Sequence, residues 1–182
     1  GVGNSPQVFH QLSKIGITSK IFRAPKSFEQ LFEIIETIGE FIDEKAAAVK
    51  LVTNMKKELA QLSKYQPKHR PSVVVAIWYP PLMVAAKDSF VDNMIFVAGG
   101  KNAFSDQKGD FPKVNPEKVV AKNPDIIFTG PSTIKNGLEK QAFIRQTKAG
   151  KNKKIITTLD PALFSRPGPR VIEGIKEMKK YF

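Results

Sequence analysis

The stretch Ser72-Val73-Val74-Val75-Ala76-Ile77-Trp78-Tyr79-Pro80-Pro81 decides the fold. Its apolar residues run from Val73 to Ile77 without polar alternation, the pattern of a strand covered on both faces, and such strands sit in parallel sheets between helices. The basic, proline-bearing segment Pro67 to Pro71 before it marks the start of a new unit. The two prolines after it stop the strand, since proline has no amide hydrogen to give a ladder.

Downstream, strands and helices alternate. Ser89 to Ala98 is amphipathic and stops at Gly99-Gly100, and Asn115-Pro116-Glu117 opens another helix with a cap, a first-turn proline and an acid near the positive helix end. Asp125 to Thr129 and Lys154 to Thr157 read as two further strands. A last helix runs from about Pro169, with Val171, Ile172, Ile175 and Met178 inward. Residues 67–182 therefore read as an α/β lobe with a parallel central sheet.

Upstream, Ser27 followed by Gln30 is a capping-box signature, and Phe28, Leu31, Phe32, Ile35, Ile38 and Ile42 recur at helical spacing. Asp43 is expected to cap a longer helix reaching about Tyr65, with Val49, Val52, Met55, Leu59 and Leu62 stepping by three and four. Residues 27–66 form a connecting section of two helices. In residues 1–26, a turn-like Gly1 to Pro6 leads into a short helix from Ser5 to Ile15, and an extended piece follows from Ile17 to Phe22. This is an α-β step with no sheet of its own, the remnant of a further lobe.

The chain has 182 residues and 41% hydrophobic content, enough for one core or two small lobes. It contains no apolar run of about 18 residues that would span a bilayer. It has no cysteine, which excludes disulfides, thiolate metal ligands and a cysteine nucleophile. The net charge of +12 suits an anionic ligand, membrane face or nucleic acid without choosing among them. The Lys148 to Lys154 cluster reads as a solvated turn. A nucleic-acid module would need interleaved aromatic and basic residues or a helix-turn-helix, and neither is present.

Catalytic signatures are missing. No phosphate loop, nucleophile elbow or zinc-helix motif occurs, and Gly130-Pro131-Ser132-Thr133 lacks the later Gly-Lys that cradles phosphate. His10 and His69 lack neighbours at metal-ligand spacing, and Asp88/Asp92 and Glu36/Glu40 read as solvated one-turn pairs. No catalytic residue, metal site or cofactor is expected. Two loops stand out, because open α/β sheets bind ligands beyond the carboxyl ends of their strands. The first carries Trp78 and Tyr79, with Trp78 either capping the core or meeting a ligand. The second, Pro161 to Arg170, carries Phe164, Arg166 and Arg170. Arg166 either faces an anionic ligand or holds loop carbonyls, and Arg170 reads as structural.

Four ordered blocks resemble the vitamin B12, haem and iron-siderophore branch of the periplasmic substrate-binding proteins. They are Ser27 to Leu31 with Ile38 to Phe41, Ala76 through Gly99-Gly100 to Phe104, Phe111 to Phe128, and Phe164 to Val171. The resemblance spans nearly the whole chain. It implies a Rossmann-like carboxy-terminal lobe, a rigid spine helix before it, and an amino-terminal lobe with a signal segment preceding Gly1. It also implies an extracytoplasmic location and membrane contact only through an ABC permease or a lipid anchor. The expected ligand is a metal chelate (siderophore, haem or cobalamin) touched by Trp78, Tyr79, Phe164 and Arg166, and the expected permease contact is Glu117. An intracellular enzyme subunit or sensor domain on a similar scaffold is the alternative.

Overall fold

The structure, a computed structural model, describes residues 6–64 and 67–182. The turn-like opening at Gly1 to Ser5 and the expected helix end at Tyr65 lie outside the described residues. The chain begins with α1 (Pro6–Lys14), α2 (Phe28–Phe41) and α3 (Lys45–Lys64). The first strand is β1 (Ser72–Trp78), followed by β2 (Met83–Val84), α4 (Phe90–Ala98), β3 (Lys101–Asn102), α5 (Pro116–Lys122) and β4 (Ile126–Thr129). The short helices α6 (Pro131–Lys135), α7 (Ala142–Gln146) and α8 (Lys148–Lys151) lead to β5 (Ile155–Ile156), and α9 (Ala162–Ser165) and α10 (Val171–Lys179) complete the fold.

The continuous apolar strand is central, as its composition demands. β1 pairs in parallel with β4, from Val73 opposite Ile126 to Ala76 opposite Thr129, and β4 pairs in parallel with β5. The other side of β1 is shared: β3 pairs in parallel at Ser72 and Val73, and β2 returns antiparallel at Ala76 and Trp78. Side chains alternate between two cores. Val73, Val75, Ile126 and Phe128 face α4 and α10, whereas Val74, Ala76 and Ile127 face Val84, Phe104, Val119 and Leu138. The sheet is mostly parallel and covered on both sides.

The connecting helices join the first of these cores. Phe28, Leu31 and Phe32 of α2 and Val52, Met55 and Leu59 of α3 are buried with Phe90, Ile95 and Ile175. The Phe28 and Phe90 rings meet edge-on, 5.0 Å between centroids. Lys176 pairs with Glu58, and the Lys179 ammonium donates to the Leu62 carbonyl at 2.9 Å, so α10 and the end of α3 are fastened together.

Ser27 caps α2 as its sequence predicts, its hydroxyl accepting from the Gln30 amide at 3.3 Å. Asp43 does something other than cap α3. It sits in the left-handed region at φ 60°, its amide bonds the Glu40 carbonyl at 3.4 Å, and the Glu44 amide reaches back to the Gly39 carbonyl at 2.7 Å. That is the six-to-one and five-to-two pattern that closes a helix, so Asp43 ends α2 and α3 starts after Glu44. The cause is the tightness of the hairpin: a Cβ on Gly39 would overlap the Ala48 methyl. Residues 15–25 also depart from expectation. They form no strand, and Ile15 (71% exposed), Ile17 and Ile21 lie open.

Asp92 departs from its reading as a solvated carboxylate. Asn102, nearly fully buried, donates to Asp92 Oδ1 at 2.8 Å and to the Ala85 carbonyl at 3.2 Å, and its own oxygen accepts from the Phe104 amide at 3.0 Å. The knot ties β3 to α4. Burial pushes the Asp92 carboxyl above its ordinary value, partly offset by the Asn102 bond.

Two outcomes follow from these contacts. Gly39→Ala is expected to cost about 1–3 kcal/mol, read as a lower urea midpoint at unchanged slope, and a second change, Ala48→Gly, should recover most of it. A raised folded-state pKa means that the Asp92 contribution is fully present below the unfolded value and is lost as pH rises through the folded one. An Asp92→Asn chain should therefore gain melting temperature relative to the parent as pH climbs from the acid range to neutrality; a gap that narrows instead would assign the burial penalty elsewhere.

Candidate functional site

Parallel strands end together, and here the chain leaving β1 turns back into the antiparallel β2, whereas the chain leaving β4 enters α6, so the two paths part. A crevice of about 160 Å³ opens where they part. Its floor is Val75 to Ile77, one wall is Thr129 and Gly130, and Pro161 and Phe164 close it over. The Thr129 hydroxyl, fully buried, donates to the Ala76 carbonyl at 3.1 Å and locks the two strand ends together. Gly130 lets the last loop approach: a Cβ there would stand 3.0 Å from Pro161 Cγ.

Local hydrogen bonds shape the covering loop. Asp160 accepts from the Ala162 amide at 2.9 Å and starts α9, and the Ser165 hydroxyl donates to the Pro161 carbonyl at 2.9 Å. Arg170 pairs with Asp160 at 3.5 Å and Glu173 at 3.1 Å. Its role is structural as expected, but its partners are carboxylates rather than loop carbonyls.

The residues singled out in the sequence separate in space. Phe164 is buried and lines the crevice. Trp78, at the end of β1, does not line the crevice; it is 45% exposed, with its indole N–H donating to the Pro80 carbonyl at 2.9 Å. Tyr79 packs against the opposite core from Phe164, and its carbonyl accepts from Asn136 at 2.6 Å. Arg166 is exposed at the end of α9 and makes no ion pair among the described residues. Glu117 is exposed in the first turn of α5, also without an ion pair among the described residues.

Thr129, Gly130 and Ser132 also line the crevice, with Pro161 of the second loop; the sequence reading placed none of them at a ligand. The signal was present in Gly130-Pro131-Ser132-Thr133 directly after a strand, a position where ligands meet α/β sheets whether or not a phosphate motif is complete. The crevice holds no charged side chain, so its chemistry is apolar contact and hydroxyl hydrogen bonding, not acid–base work. Among the described residues, no cluster of three or more His, Cys, Asp or Glu side chains is placed to hold a metal ion.

Comparison with known proteins bears on the family and the fold. A family model described as "Periplasmic binding protein" matches residues 7–162. An uncharacterised ABC transporter substrate-binding lipoprotein of Bacillus subtilis is 31% identical over 96% of this chain and 56% of its own length. A vitamin B12-binding protein of Vibrio cholerae is 23% identical over 98% of this chain and 64% of its own length. The chain thus spans less than two thirds of these curated relatives. The periplasmic haem-binding protein of a Roseiflexus species shares the fold at a TM-score of 0.87 and 24% identity, covering 98% of this chain and 71% of that one.

Proposed function

We propose, since this chain belongs to the periplasmic binding protein family, that it is part of the extracytoplasmic receptor of an ABC importer and holds a metal-chelate ligand at the carboxyl edge of its sheet. The observation that carries the reading is the uncharged crevice between the ends of β1 and β4, roofed by Phe164. An apolar floor under a buried aromatic roof suits contact with a large, flat or compact chelate that lies across the opening rather than a small ion that would need to be coordinated. Binding and release, without bond chemistry, is the whole of its activity in this reading.

Within it, residues 67–182 form the ligand-bearing lobe, residues 27–66 the connecting helices with α3 as spine, and residues 1–26 part of a second lobe. Trp78 and Phe164 contact the ligand from the end of β1 and the roof, and Tyr79 supports the loop between them through its backbone bond to Asn136. Arg166, exposed and without an ion pair among the described residues, offers charge to an anionic chelate. The vitamin B12 and haem of the relatives' names are both metal–macrocycle chelates. The net charge of +12 adds ferric siderophores, whose carboxylate-bearing forms are anionic. Glu117 is the carboxylate presented to the permease.

The chain's single tryptophan makes the test direct. Titration with haemin, cyanocobalamin and ferric hydroxamate or catecholate siderophores is expected to quench Trp78 emission for one class and to raise the melting temperature with it. Phe164→Ser should weaken that ligand about tenfold or more, whereas failure of every class to move either signal would remove the receptor reading. Glu117→Ala should leave the titration unchanged and lower ligand-stimulated ATP hydrolysis by the cognate permease in proteoliposomes.

A further inference from the structure

The crevice occupies one end of the parallel sheet, and the opposite end has a chemistry of its own. There the Lys101 amide donates to the Pro71 carbonyl at 2.8 Å, the Asp125 amide to the Ser72 carbonyl at 2.8 Å, and the Ile127 amide to the Lys154 carbonyl at 3.0 Å. The beginnings of β3, β1, β4 and β5 therefore stand in a row, about 14 Å across at ordinary strand spacing. In a sheet wound with helices, the helix carboxyl ends return to the same place, and Lys179 reaching the Leu62 carbonyl shows α3 and α10 ending there together.

Cations collect along this row from distant parts of the sequence. Lys68 and Arg70 precede β1, Lys101 opens β3, and Lys151, Lys153 and Lys154 lead into β5. All five lysines are exposed, and none forms an ion pair among the described residues. The carboxylate at the row, Asp125, is engaged with the Ser72 amide at 2.8 Å and Lys148 at 3.4 Å, and half-buried Asp92 nearby is held by Asn102. Helix dipoles account for a cation in a last turn, but Lys68, Lys101, Lys153 and Lys154 lie beyond any helix end.

An aromatic ring stands among these charges. Phe96, near the end of α4, is 62% exposed, the most of any phenylalanine in the structure's described core elements, and Arg70 holds it in place. The guanidinium lies over the ring, 4.1 Å from its centroid, and donates to the Phe96 and Gly100 carbonyls at 2.8 and 3.1 Å.

We propose that this end of the molecule docks on an anionic phospholipid surface, with the lysine row meeting headgroup phosphates and Phe96 entering the interfacial layer. A lipid surface fits better than a nucleic acid. Base stacking needs free aromatic faces in succession, and here one ring has a face covered by Arg70; groove reading needs a protruding helix or ribbon, and the row is made of strand starts. Docked this way, the protein holds its crevice away from the bilayer, so lipid docking and delivery to a permease are alternative states, and this contact adds to the expected ones through permease and anchor.

The test is flotation of the 182-residue chain with vesicles of phosphatidylcholine alone or with about 30% phosphatidylglycerol, at about 50 and 500 mM salt, across which the screening length falls about threefold. Binding is expected to the anionic vesicles only and to fade at high salt. Reversing Lys151, Lys153 and Lys154 to glutamate should lower the partition coefficient about 100-fold, and Phe96→Ser several-fold, with unchanged circular dichroism and melting. The same three reversals at Lys113, Lys135 and Lys140, beyond the other end of the sheet, should have little effect. Equal binding to both vesicle types, equal loss in the control, or duplex DNA outcompeting vesicles at matched phosphate would overturn the proposal.

Discussion

Everything in this molecule is arranged around the pairing of β1 with β4. Both strands are buried on two faces, so each amide and carbonyl between Val73 and Ala76 has to find its partner within the sheet, and a register slip would put the Val73 set into the wrong core. That double demand explains why short strands suffice. Four aligned residues bring Ala76 beside Thr129, and the hydroxyl bond between them fixes the floor and wall of the crevice as one rigid unit. The candidate site is a by-product of correct strand register.

The second constraint is the α2–α3 hairpin. Its helices are pressed together at Gly39 and Ala48, and the turn between them is closed by Asp43 in a conformation that glycine usually supplies. Close approach at that point directs Val52, Met55 and Leu59 onto α4 and α10, so the connecting section contributes to the lobe's own core. Away from that seam the hairpin is apolar and open, with Ile38, Phe41, Ile42 and Val49 exposed.

Much of this was legible in the residues. α2, α3, β1, β4 and α10 carry strong periodicity or an unbroken apolar run, signals that tertiary context rarely overrides. The two-residue strands β2, β3 and β5 and the helices α6 to α9 carry too few residues to establish a period, and neighbouring elements decide their geometry. Asp43 was misread because aspartate is common both as a cap and in the left-handed region, and only the closeness of Gly39 to Ala48 selects between them. The site was half visible: Phe164 and the end of β1 follow from the sequence and the rule for strand ends. The meeting of Gly130 with Pro161, some thirty positions apart, depends on the β4–β5 crossover, and no local signal contains it.

The borders of the sheet have an effect that reaches beyond one molecule. One side is divided between β2 and β3, and the other ends on β5; each offers only two paired residues, and the approach to β5 runs through three lysines. Among the described residues, a neighbouring chain seeking to extend the ladder meets only two-residue edge strands, and like charge repels it at β5. A fold whose central strands are as aliphatic as the stretch Val73 to Ile77 thus remains guarded against growing into fibrous stacks.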